Sequence, residues 1–455
     1  MTHRNGVRRQ SAQAWVTTPD RRLLLAPQPL LPFTANAGGQ DAILISVEEN
    51  QTDQKMAGFG AALTDSSAYI INRLPRDRRE ALLRDLFDPA RGNGFSVLRV
   101  PMGASDFTHR GSYTYHDLPE GVKDPELSRF SIAPDTEYTI PLLRRIRQIN
   151  PSLTLIASPW TAPAWMKTSK NLHGGWLDWP AYSAYALYFV KFVEAYRRAG
   201  VRVDYVTPQN EPRLERTSYP TMRMEPRDQS RFVRDHLGPA FRRAGIKTRI
   251  LAWDHNWDQP EYPLEVLNDN AARSYITGVA WHGYAGRVEN QDKVRRVYPA
   301  QETHFTESSG GDFAPRFGDN VLWDMQNLII GATRFGARSV LKWNLALDEA
   351  HGPRNGGCSD CRGIVTIDSQ TGAVTKNEEF YAFGHASRFV RAGATRVGST
   401  ELANLPNVAF RNPDGSYVLV LCNPDTNHPA AFAVRWKGQF LRGSIPAGAG
   451  MTLRW

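Results

Sequence analysis

The chain has 455 residues, of which 41% are hydrophobic and 22% charged, so it holds enough apolar side chains for a large core and is not intrinsically disordered. Its net charge of +9 comes from arginines and lysines scattered along the chain, and we therefore expect no nucleic-acid partner. No apolar run is long enough for a transmembrane helix, and three cysteines are too few for a disulfide-rich scaffold.

The N-terminal stretch M-T-H-R-N-G-V-R-R is positively charged, but no apolar segment of the kind found in secretory signals follows it. The protein is therefore expected either to be cytoplasmic or to have had a leader removed. An extracellular or periplasmic location after leader removal is the working hypothesis.

Eight short apolar segments recur along the middle of the chain, each followed by turn residues. They lack helical periodicity, as expected for strands buried on both faces of a parallel sheet. The predicted strands are 55–60, 95–103, 153–160, 203–211, 249–255, 276–284, 303–309 and 339–347. Helical patterns lie between them at 75–88, 137–149, 180–199, 226–244 and 318–335, the last three ending just before Gly200, Gly245 and Gly336.

Eight strand–helix repeats predict an α/β fold, a (β/α)₈ TIM barrel, over residues 50–388. A doubly wound open sheet is the alternative. It ranks lower because no glycine-rich phosphate fingerprint follows the first strand and because the strand count reaches eight.

The two ends of the chain have strand patterns of a different kind. Residues 12–18 and 42–47 are predicted strands, and the C-terminal part alternates apolar and polar residues around a hairpin signal at Pro413-Asp414-Gly415. We therefore predict a side β-sandwich domain built from residues 389–455 together with residues 1–49.

Polar and aromatic side chains occupy the predicted strand ends and the loops after them. Because the active site of a (β/α)₈ barrel lies at the C-terminal ends of its strands, these side chains would converge on one mouth. They are Arg99, Asp106, Phe107, Trp160, Asn210, Glu211, Asp254, His255, His282, Tyr284, Glu307, Trp343 and Asn344. The convergence is a more specific signal than any single motif.

Two carboxylates stand out, Glu211 at the end of predicted strand 4 and Glu307 at the end of strand 7. Opposed carboxyl groups at a barrel mouth suit glycoside hydrolysis, in which one acts as acid/base and the other attacks the anomeric carbon. Asn210 would hydrogen-bond a sugar hydroxyl, and Trp160 and Trp343 would offer faces to the ring. A retaining mechanism predicts carboxyl groups about 5–5.5 Å apart.

Each candidate also has a purely structural interpretation. Glu211 alone could be a turn residue, Glu307 could be the ion-pair partner of Arg99, and His282 could be a hydrogen-bonded barrel histidine. Glu302 is a weaker catalytic candidate than Glu307, because it lies at the N-terminal end of strand 7, away from the mouth.

The chain is predicted to bind no metal and to need no cofactor. His304 and Glu307 are three residues apart on a strand, so their side chains point to opposite faces. Cys358 and Cys361 form a lone C-x-x-C, which is weak for zinc, so a local disulfide or two free thiols is expected.

Several motifs together resemble glycoside hydrolase family 30, which contains retaining β-glycosidases such as glucosylceramidase. The motifs are G-F-G-A-A-L-T-D-S-S, L-R-V-P-M-G-A-S-D-F, A-S-P-W-T-A-P-A-W-M-K, T-P-Q-N-E-P, W-H-G-Y, F-T-E-S-S-G and W-N-L-A-L. They cover nearly the whole chain in order. The family fold is a (β/α)₈ barrel with a side β-sandwich.

The resemblance implies that Glu211, in N-E-P, is the acid/base and that Glu307 is the nucleophile. It implies sugar-binding positions at Arg99, Asp106, Trp160, Asn210, His282, Tyr284 and Trp343, to which the strand ends add Phe107 and Asn344. The family's usual H-W-Y is H-G-Y here, so one aromatic of the substrate wall is missing.

The loop G-G-C-S-D-C-R-G resembles microbial members of the family, some of which are endo-β-1,6-glucanases. We therefore expect a carbohydrate partner, a β-1,6-glucan or a similar β-glucoside. Glucosylceramide or small β-glucosides are the second expectation. A non-catalytic carbohydrate-binding protein, and a lipid glycosidase that approaches anionic membranes, remain as alternatives.

Overall fold

The computed structural model describes residues 10–35 and 42–455. Residues 1–9, on which the leader hypothesis depends, lie outside the described residues. One compact unit consists of Phe59–Phe313 and Phe335–Asn377, and a second of the described residues up to Gly58 with Ala314–Arg334 and Glu378–Trp455. The domain limits at residues 50 and 388 stay predictions. Among the described residues, we find no helix with the length and apolar character needed to cross a membrane.

Strands and helices contribute nearly equally to the regular structure in the described ranges. In chain order they are β1 Ser11–Thr17, β2 Ala26–Pro27, β3 Leu31–Thr34, β4 Ile43–Lys55, β5 Gly58–Ala62, β6 Val97–Pro101, β7 Thr154–Ser158, β8 Tyr205–Val206, β9 Arg249–Asn256, β10 Ile276–His282, β11 Glu302–Glu307, β12 Gly310–Gly311, β13 Ala337–Lys342, β14 Ala346–Leu347, β15 Cys361–Arg362, β16 Val365–Ile367, β17 Val374–Lys376, β18 Thr395–Ser399, β19 Asn407–Arg411, β20 Tyr417–Cys422, β21 Ala430–Trp436, β22 Gln439–Ile445 and β23 Gly450–Arg454.

Helices alternate with the strands in the middle of the chain. The α-helices are α1 Asp65–Arg73, α2 Arg76–Phe87, α3 Ala133–Thr136, α4 Thr139–Ile149, α5 Tyr182–Arg198, α6 Pro226–Phe232, α7 Gly238–Arg243, α8 Glu261–Asn268, α9 Asn270–Arg273, α10 Asn290–Val297, α11 Phe317–Trp323 and α12 Glu378–Ser387. Ala164–Met166 and Trp179–Ala181 are 3₁₀ turns, and Val233–Leu237 and Asp324–Ala332 are π-helical.

Eight parallel strands close into a barrel, which confirms the predicted TIM barrel and excludes the open sheet. Around the barrel the order is β5, β6, β7, β8, β9, β10, β11 and β13. Gly60 allows β5 to approach β6, because a Cβ at this position would lie 1.8 Å from the Val97 carbonyl oxygen. The strands are almost wholly buried, as their continuous apolar sequences require.

The observed bounds of the barrel strands differ from the predicted ones, and two of these differences have a clear structural cause. The first barrel strand begins at Gly58 rather than at residue 55, because Lys55 is still the last residue of β4. The predicted strand 203–211 is reduced to Tyr205–Val206. Beyond it, the Asn210 N–H donates to the Pro159 carbonyl oxygen (2.8 Å) and the Glu211 N–H to that of Asp254 (3.0 Å), so the segment leaves the strand ladder.

The predicted helix ends are confirmed at the glycines. Gly200, Gly245 and Gly336 have φ of +80°, +66° and +93°, a conformation that ends a helix at little cost for glycine. The helical patterns at 226–244 and 318–335 are each interrupted by a π-helical segment, which periodicity alone does not reveal.

The second unit contains a separate β-sandwich, as predicted. Its strands are hydrogen-bonded in the order β2, β1, β23, β20, β19, β18, β4, β21, β22 and β3, and β1 also pairs with β3. Inward-facing side chains such as Val16, Leu419 and Leu453 form its core. The predicted hairpin joins β19 to β20 through Gly415, whose φ is +85°.

Candidate active site

A buried arginine on β6 connects the side chains at the C-terminal end of the barrel. Arg99 has no exposed surface. Its Nη1 donates to Glu307 Oε2 at 2.5 Å, and its Nη2 donates to Asn210 Oδ1 at 2.6 Å and Asp254 Oδ2 at 2.8 Å. Glu307 therefore forms the ion pair with Arg99 that its structural interpretation predicted, and this ion pair holds Glu307 at the mouth.

Asp254 is the buried anion beneath this arrangement. Its carboxylate accepts hydrogen bonds from the hydroxyls of Ser158 (2.8 Å) and Thr306 (2.7 Å) and contacts His282 Nε2 at 3.1 Å. Burial by itself would raise the pKa of Asp254, but Arg99 and His282 outweigh burial and hold the pKa below its ordinary value. From the sequence, Asp254 was predicted only to lie at a strand end, and its pairing with Arg99 and His282 was not predicted.

His282 lies between Glu211 on one side and Asp254 and Glu307 on the other. Its Nδ1 is 3.2 Å from Glu211 Oε1, while its Nε2 is 3.1 Å from Asp254 Oδ1 and 3.9 Å from Glu307 Oε2. Burial alone would lower the pKa of His282, but the carboxylates of Glu307, Asp254 and Glu211 raise it to about 9. With a carboxylate on each nitrogen, the ring is an imidazolium that donates in both directions.

The two predicted catalytic glutamates face each other across the mouth. One carboxylate oxygen of Glu211 and one of Glu307 lie with a nitrogen of His282 in a group whose atoms are all within 4.8 Å of one another. Tyr284 donates its hydroxyl proton to Glu307 Oε1 at 3.0 Å, and the residue is 46% exposed. Glu307 therefore has a donor on each oxygen.

The surroundings of the two carboxyl groups are unequal. Burial raises the pKa of Glu307, and Glu211 and Asp254 add to this rise, although His282 and Arg99 act against it. Burial would also raise the pKa of Glu211, but His255 and His282 outweigh it and lower the pKa. Two carboxylates this close disfavour double ionisation, so they titrate as a pair.

Backbone strain concentrates at the same strand ends. Glu211, Trp253, Asp254 and Asn344 have φ of +44°, +73°, +72° and +63°, in the left-handed region that non-glycine residues rarely adopt. Such conformations cost free energy and persist where the surrounding structure holds them, commonly at active sites. The hydrogen bond from Glu211 N–H to the Asp254 carbonyl oxygen joins two of the strained residues.

Aromatic side chains and the cysteine loop form one wall of the mouth. Trp160 and Trp343 stack with centroids 5.1 Å apart, and the Arg99 guanidinium lies 4.9 Å from the Trp160 ring. Phe107 has no exposed surface and packs edge-on against Trp343, so it supports the wall from behind. Cys358 and Cys361 form a disulfide that packs into this cluster, which decides between the two predicted states.

Asp106 and Asn344 occupy different environments. Asp106 is half-buried near both glutamates, and burial, then Glu307 and Glu211, raise its pKa well above the ordinary value. Asn344 is fully buried, and its Oδ1 accepts a hydrogen bond from Thr64 at 2.9 Å. Asp106 is thus placed toward the mouth, whereas Asn344 is enclosed by its neighbours.

Tyr219 is a site residue that the sequence reasoning missed. It is half-buried against the cluster of Trp160, Trp343 and the disulfide. Burial and the nearby Asp106 and Glu211 raise its pKa. It lies in the irregular segment after β8, where no periodic pattern indicates which side chains face the barrel.

Loops after four strands are linked at the rim. His173 contacts the Ser112 hydroxyl at 3.0 Å through Nε2 and the Thr217 carbonyl oxygen at 2.8 Å through Nδ1. Asn355 Nδ2 donates to Ser112 Oγ at 3.0 Å. These contacts join the loops after β6, β7, β8 and β14, so this side of the mouth is held by polar contacts between loops.

Glu302 lies in a separate network at the N-terminal end of β11. Its carboxylate contacts Arg338, Arg249 (3.3 Å), Tyr205 (2.8 Å) and His304 (3.0 Å). His304 also contacts the Ser339 hydroxyl at 2.8 Å, and neither residue contacts Glu307 among the described hydrogen bonds and ion pairs.

The glycine at position 283, where the family usually has an aromatic residue, is explained by its neighbours. A Cβ at Gly283 would lie 3.0 Å from Phe305 and 3.2 Å from Trp257, whose rings pack 5.1 Å apart. Trp257 is buried and donates its indole N–H to Gln291. The space beside residue 283 is therefore occupied from within the barrel, and a larger residue would require these rings to shift.

Two close carboxyl groups at the mouth of a closed (β/α)₈ barrel, in a chain that also contains a separate β-sandwich, define a glycoside hydrolase. Residues 56–390 match the glycosyl hydrolase family 30 TIM-barrel domain, and residues 393–453 match the family 30 beta sandwich domain. The chain belongs to glycosyl hydrolase family 30, whose members act by a retaining mechanism.

Relatives of known activity are similar over most of their length. The chain is 31% identical to an endo-1,6-beta-D-glucanase of Neurospora crassa, covering 95% of this chain and 94% of the relative. It is 33% identical to the lysosomal acid glucosylceramidase of Mus musculus, covering 84% and 77%. The solved endo-beta1,6-glucanase BT3312 superposes with a TM-score of 0.90 at 32% identity, covering 98% of this chain and 99% of that one.

Proposed function

We propose that this protein hydrolyses β-1,6-linked glucan by double displacement, with Glu307 as nucleophile and Glu211 as acid/base. The observation that carries the mechanism is the grouping of one oxygen from each glutamate within 4.8 Å. Retaining glycosidases have carboxyl groups about 5–5.5 Å apart, whereas inverting enzymes need about 6.5–9.5 Å to admit a water molecule.

In the first step, a Glu307 oxygen forms a bond to the anomeric carbon as the bond to the leaving oxygen breaks. Glu211 gives its proton to that oxygen, and a covalent glycosyl-enzyme results. In the second step, Glu211 takes a proton from water, whose oxygen attacks the anomeric carbon and displaces Glu307. The sugar leaves with its original configuration.

The reaction also requires the proton of the pair to be in the correct place. Arg99 and Tyr284 each donate a hydrogen bond to Glu307, and both contacts favour its ionised form. A bound sugar places its leaving oxygen against Glu211 and develops positive charge at the anomeric carbon, which favours ionised Glu307. We therefore propose that the proton of the pair is on Glu211 when the substrate is bound.

Neighbouring side chains would hold the sugar. Asn210 accepts a hydrogen bond from Arg99 through Oδ1, which directs its amide NH₂ away from the arginine and makes it available to a sugar hydroxyl. The Asp106 carboxyl and the exposed ring of Tyr284 are further contacts. The β-1,6 linkage is supported by the two endo-1,6-glucanases to which the chain is similar over nearly its whole length.

Nucleic acid is not among the proposed partners, because the positive side chains are scattered. Contact with a membrane or a glycolipid is not part of the proposal either. The similarity to a glucosylceramidase makes glucosylceramide the substrate against which β-1,6-glucan must be tested.

The test combines a substrate panel with two variants. β-1,6-Glucan, glucosylceramide, an aryl β-glucoside and an aryl β-xyloside are assayed, with product sizes and the anomeric configuration read by NMR. Glu307→Gln should lose at least ~10³-fold of kcat, and azide should restore turnover of an activated aryl glucoside by Glu211→Ala. Initial release of the inverted anomer would refute the mechanism. Cleavage of glucosylceramide but not of glucan would refute only the substrate.

A further inference from the structure

Both imidazoles beside Glu211 approach the same oxygen. His282 Nδ1 is 3.2 Å from Glu211 Oε1, and His255 Nε2 is 3.6 Å from that oxygen. Among the described residues, no side chain or backbone group donates a hydrogen bond to Oε2. The two oxygens of this carboxyl group are therefore not equivalent.

His255 is a buried side chain with one unused ring nitrogen. It is 6% exposed, its ring lies 5.1 Å from that of Trp253, and it meets His282 edge-on at 6.1 Å. Its Nδ1 is buried and has no hydrogen-bond partner. A proton on Nδ1 would be an unsatisfied buried donor, whereas a proton on Nε2 faces the Glu211 carboxylate at 3.6 Å, so we assign the neutral ring the tautomer with its proton on Nε2.

The charges around His255 are consistent with a neutral ring. Burial lowers the pKa of His255, and His282 adds to this effect, although Glu211, Asp258 and Asp254 act in the opposite direction. His255 thus differs from His282, whose ring contacts a carboxylate on each side. One histidine supplies charge and the other supplies a neutral N–H.

The backbone links the two residues as well. The Glu211 N–H donates to the carbonyl oxygen of Asp254, the residue before His255, at 3.0 Å. Glu211 and Asp254 both have positive φ, so the end of β9 fixes the backbone of Glu211 and presents His255 to its side chain.

We propose that His255 is a positioning residue for the acid/base: together with His282 it occupies Glu211 Oε1, so that Oε2 gives the proton to the leaving oxygen and later takes one from water. This inference rests on the proposed role of Glu211. It assigns the proton transfer to one oxygen of the carboxyl group, and it assigns His255 no contact with the sugar.

The test uses variants that differ in where they place an N–H. His255→Gln puts its amide nitrogen near the former Nε2, His255→Asn puts it near the former Nδ1, and His255→Phe has no donor. Their kcat/KM is measured on β-1,6-glucan, whose alkoxide leaving group needs acid catalysis, and on 2,4-dinitrophenyl β-glucoside, whose leaving group does not. Glu211→Gln serves as the reference for complete loss of acid catalysis.

We expect His255→Phe and His255→Asn to lose about 10- to 100-fold in kcat/KM on glucan and less than about 3-fold on the dinitrophenyl glucoside. The kcat for the dinitrophenyl glucoside should also fall, because the second step needs Glu211 as base. His255→Gln should retain most of both activities, and its kcat/KM–pH profile should follow that of the unmodified protein.

Equal losses on both substrates, or a His255→Gln variant as impaired as His255→Asn, would overturn the inference, and circular dichroism identifies any variant that fails to fold. If His255→Phe does not fold, the comparison of Gln with Asn still decides. A Glu211→Gln variant without leaving-group dependence would instead refute the proposed acid/base, and the inference with it.

Discussion

At the residue scale, the site depends on how a few buried charges are matched. Arg99 and the His282 imidazolium face Asp254, Glu211 and Glu307. A buried charge is tolerable only when its partners are in place. Removing one member of this group should therefore cost more stability than removing one partner of a surface ion pair. Catalytic and stabilising roles therefore overlap in the same side chains.

Removal of Arg99 should affect stability and activity together. Arg99→Ala leaves Asp254 and Glu307 buried without their cation, and we expect a loss of about 3–5 kcal/mol in the free energy of unfolding with a large fall in kcat. Arg99→Lys keeps the charge but cannot donate to Glu307, Asn210 and Asp254 at once, so an intermediate loss is expected. Urea unfolding and kcat measure the two effects, and an unchanged stability for Arg99→Ala would contradict this expectation.

At the element scale, the two ends of one strand have different tasks. β11 begins with Glu302, in an ion-pair network, and ends with Glu307, at the mouth. Burial alone would raise the pKa of Glu302, but His304, Arg338 and Tyr205 outweigh it and lower the pKa to about 2. The separation follows the general division of (β/α)₈ barrels, in which the C-terminal face is catalytic and the opposite face stabilises.

Glu302→Gln should therefore reduce stability and leave catalysis nearly intact. We expect a loss of about 1–3 kcal/mol at neutral pH, with kcat/KM changed by less than about 3-fold. Because the pKa is lowered in the folded state, the difference from the unmodified protein should shrink as pH falls from 4.5 toward 2. Urea unfolding measures this difference in stability, and the exposed Glu265 on α8, changed to Gln, serves as control. A collapse of activity with normal stability would place Glu302 in catalysis.

A buried carboxyl group links α3 to α5. Asp135 Oδ2 accepts hydrogen bonds from Tyr115 and Tyr196, each at 2.5 Å. Burial raises the pKa of Asp135 to about 7, although the two tyrosine hydroxyls act against the rise. Asp135 is therefore protonated in the folded protein between pH 3.8 and about 7, a range in which the same carboxyl group is ionised in the unfolded chain.

Asp135→Asn should stabilise the protein at high pH. The folded state binds the extra proton between pH 3.8 and about 7, so the contribution of Asp135 to stability falls as pH rises through this window. An amide oxygen accepts the same two hydrogen bonds without ionising. We expect the variant to gain on the order of 2 kcal/mol at pH 8 and little at pH 4. Urea unfolding at both values checks this, with exposed Asp77→Asn as control; a loss at pH 8 would contradict it.

At the scale of the whole molecule, distant parts of the sequence meet inside the second unit. His385 on α12 contacts the hydroxyls of Thr17 on β1 and Thr452 on β23, both at 2.9 Å. Thr452 donates its own proton to the His385 carbonyl oxygen, so Nδ1 must donate to Thr452. The ring is neutral, and burial lowers the pKa of His385 to about 3.

This histidine should make the protein sensitive to acid. The unfolded chain binds a proton at His385 below pH 6.5, whereas the folded chain does so only near pH 3, so stability falls as pH decreases through that window. We expect His385→Gln to lose a smaller part of its stability between pH 7 and pH 4, by on the order of 2 kcal/mol. Unfolding at both pH values tests this, with exposed His428→Gln as control; equal pH dependence in all three proteins would refute it.

Sequence patterns alone were enough to predict the barrel, the sandwich and two glutamates at the barrel mouth. Those conclusions depend on local patterns: apolar runs of strand length, glycines after helices, and polar residues at strand ends. Parallel strands then bring those ends together whatever the details of packing. The predicted strand 203–211 was too long, because prolines and backbone contacts remove Asn210 and Glu211 from the ladder.

The contacts that depend on closure of the barrel could be identified only from the folded structure. It placed Asp254 under Arg99, brought two histidines to one oxygen of Glu211, added Tyr219 to the wall and paired Cys358 with Cys361. The physical reason is that these relations join segments from different strands and loops. The energies that select them, burial of charge and hydrogen bonding in a closed space, do not exist until the strands have assembled.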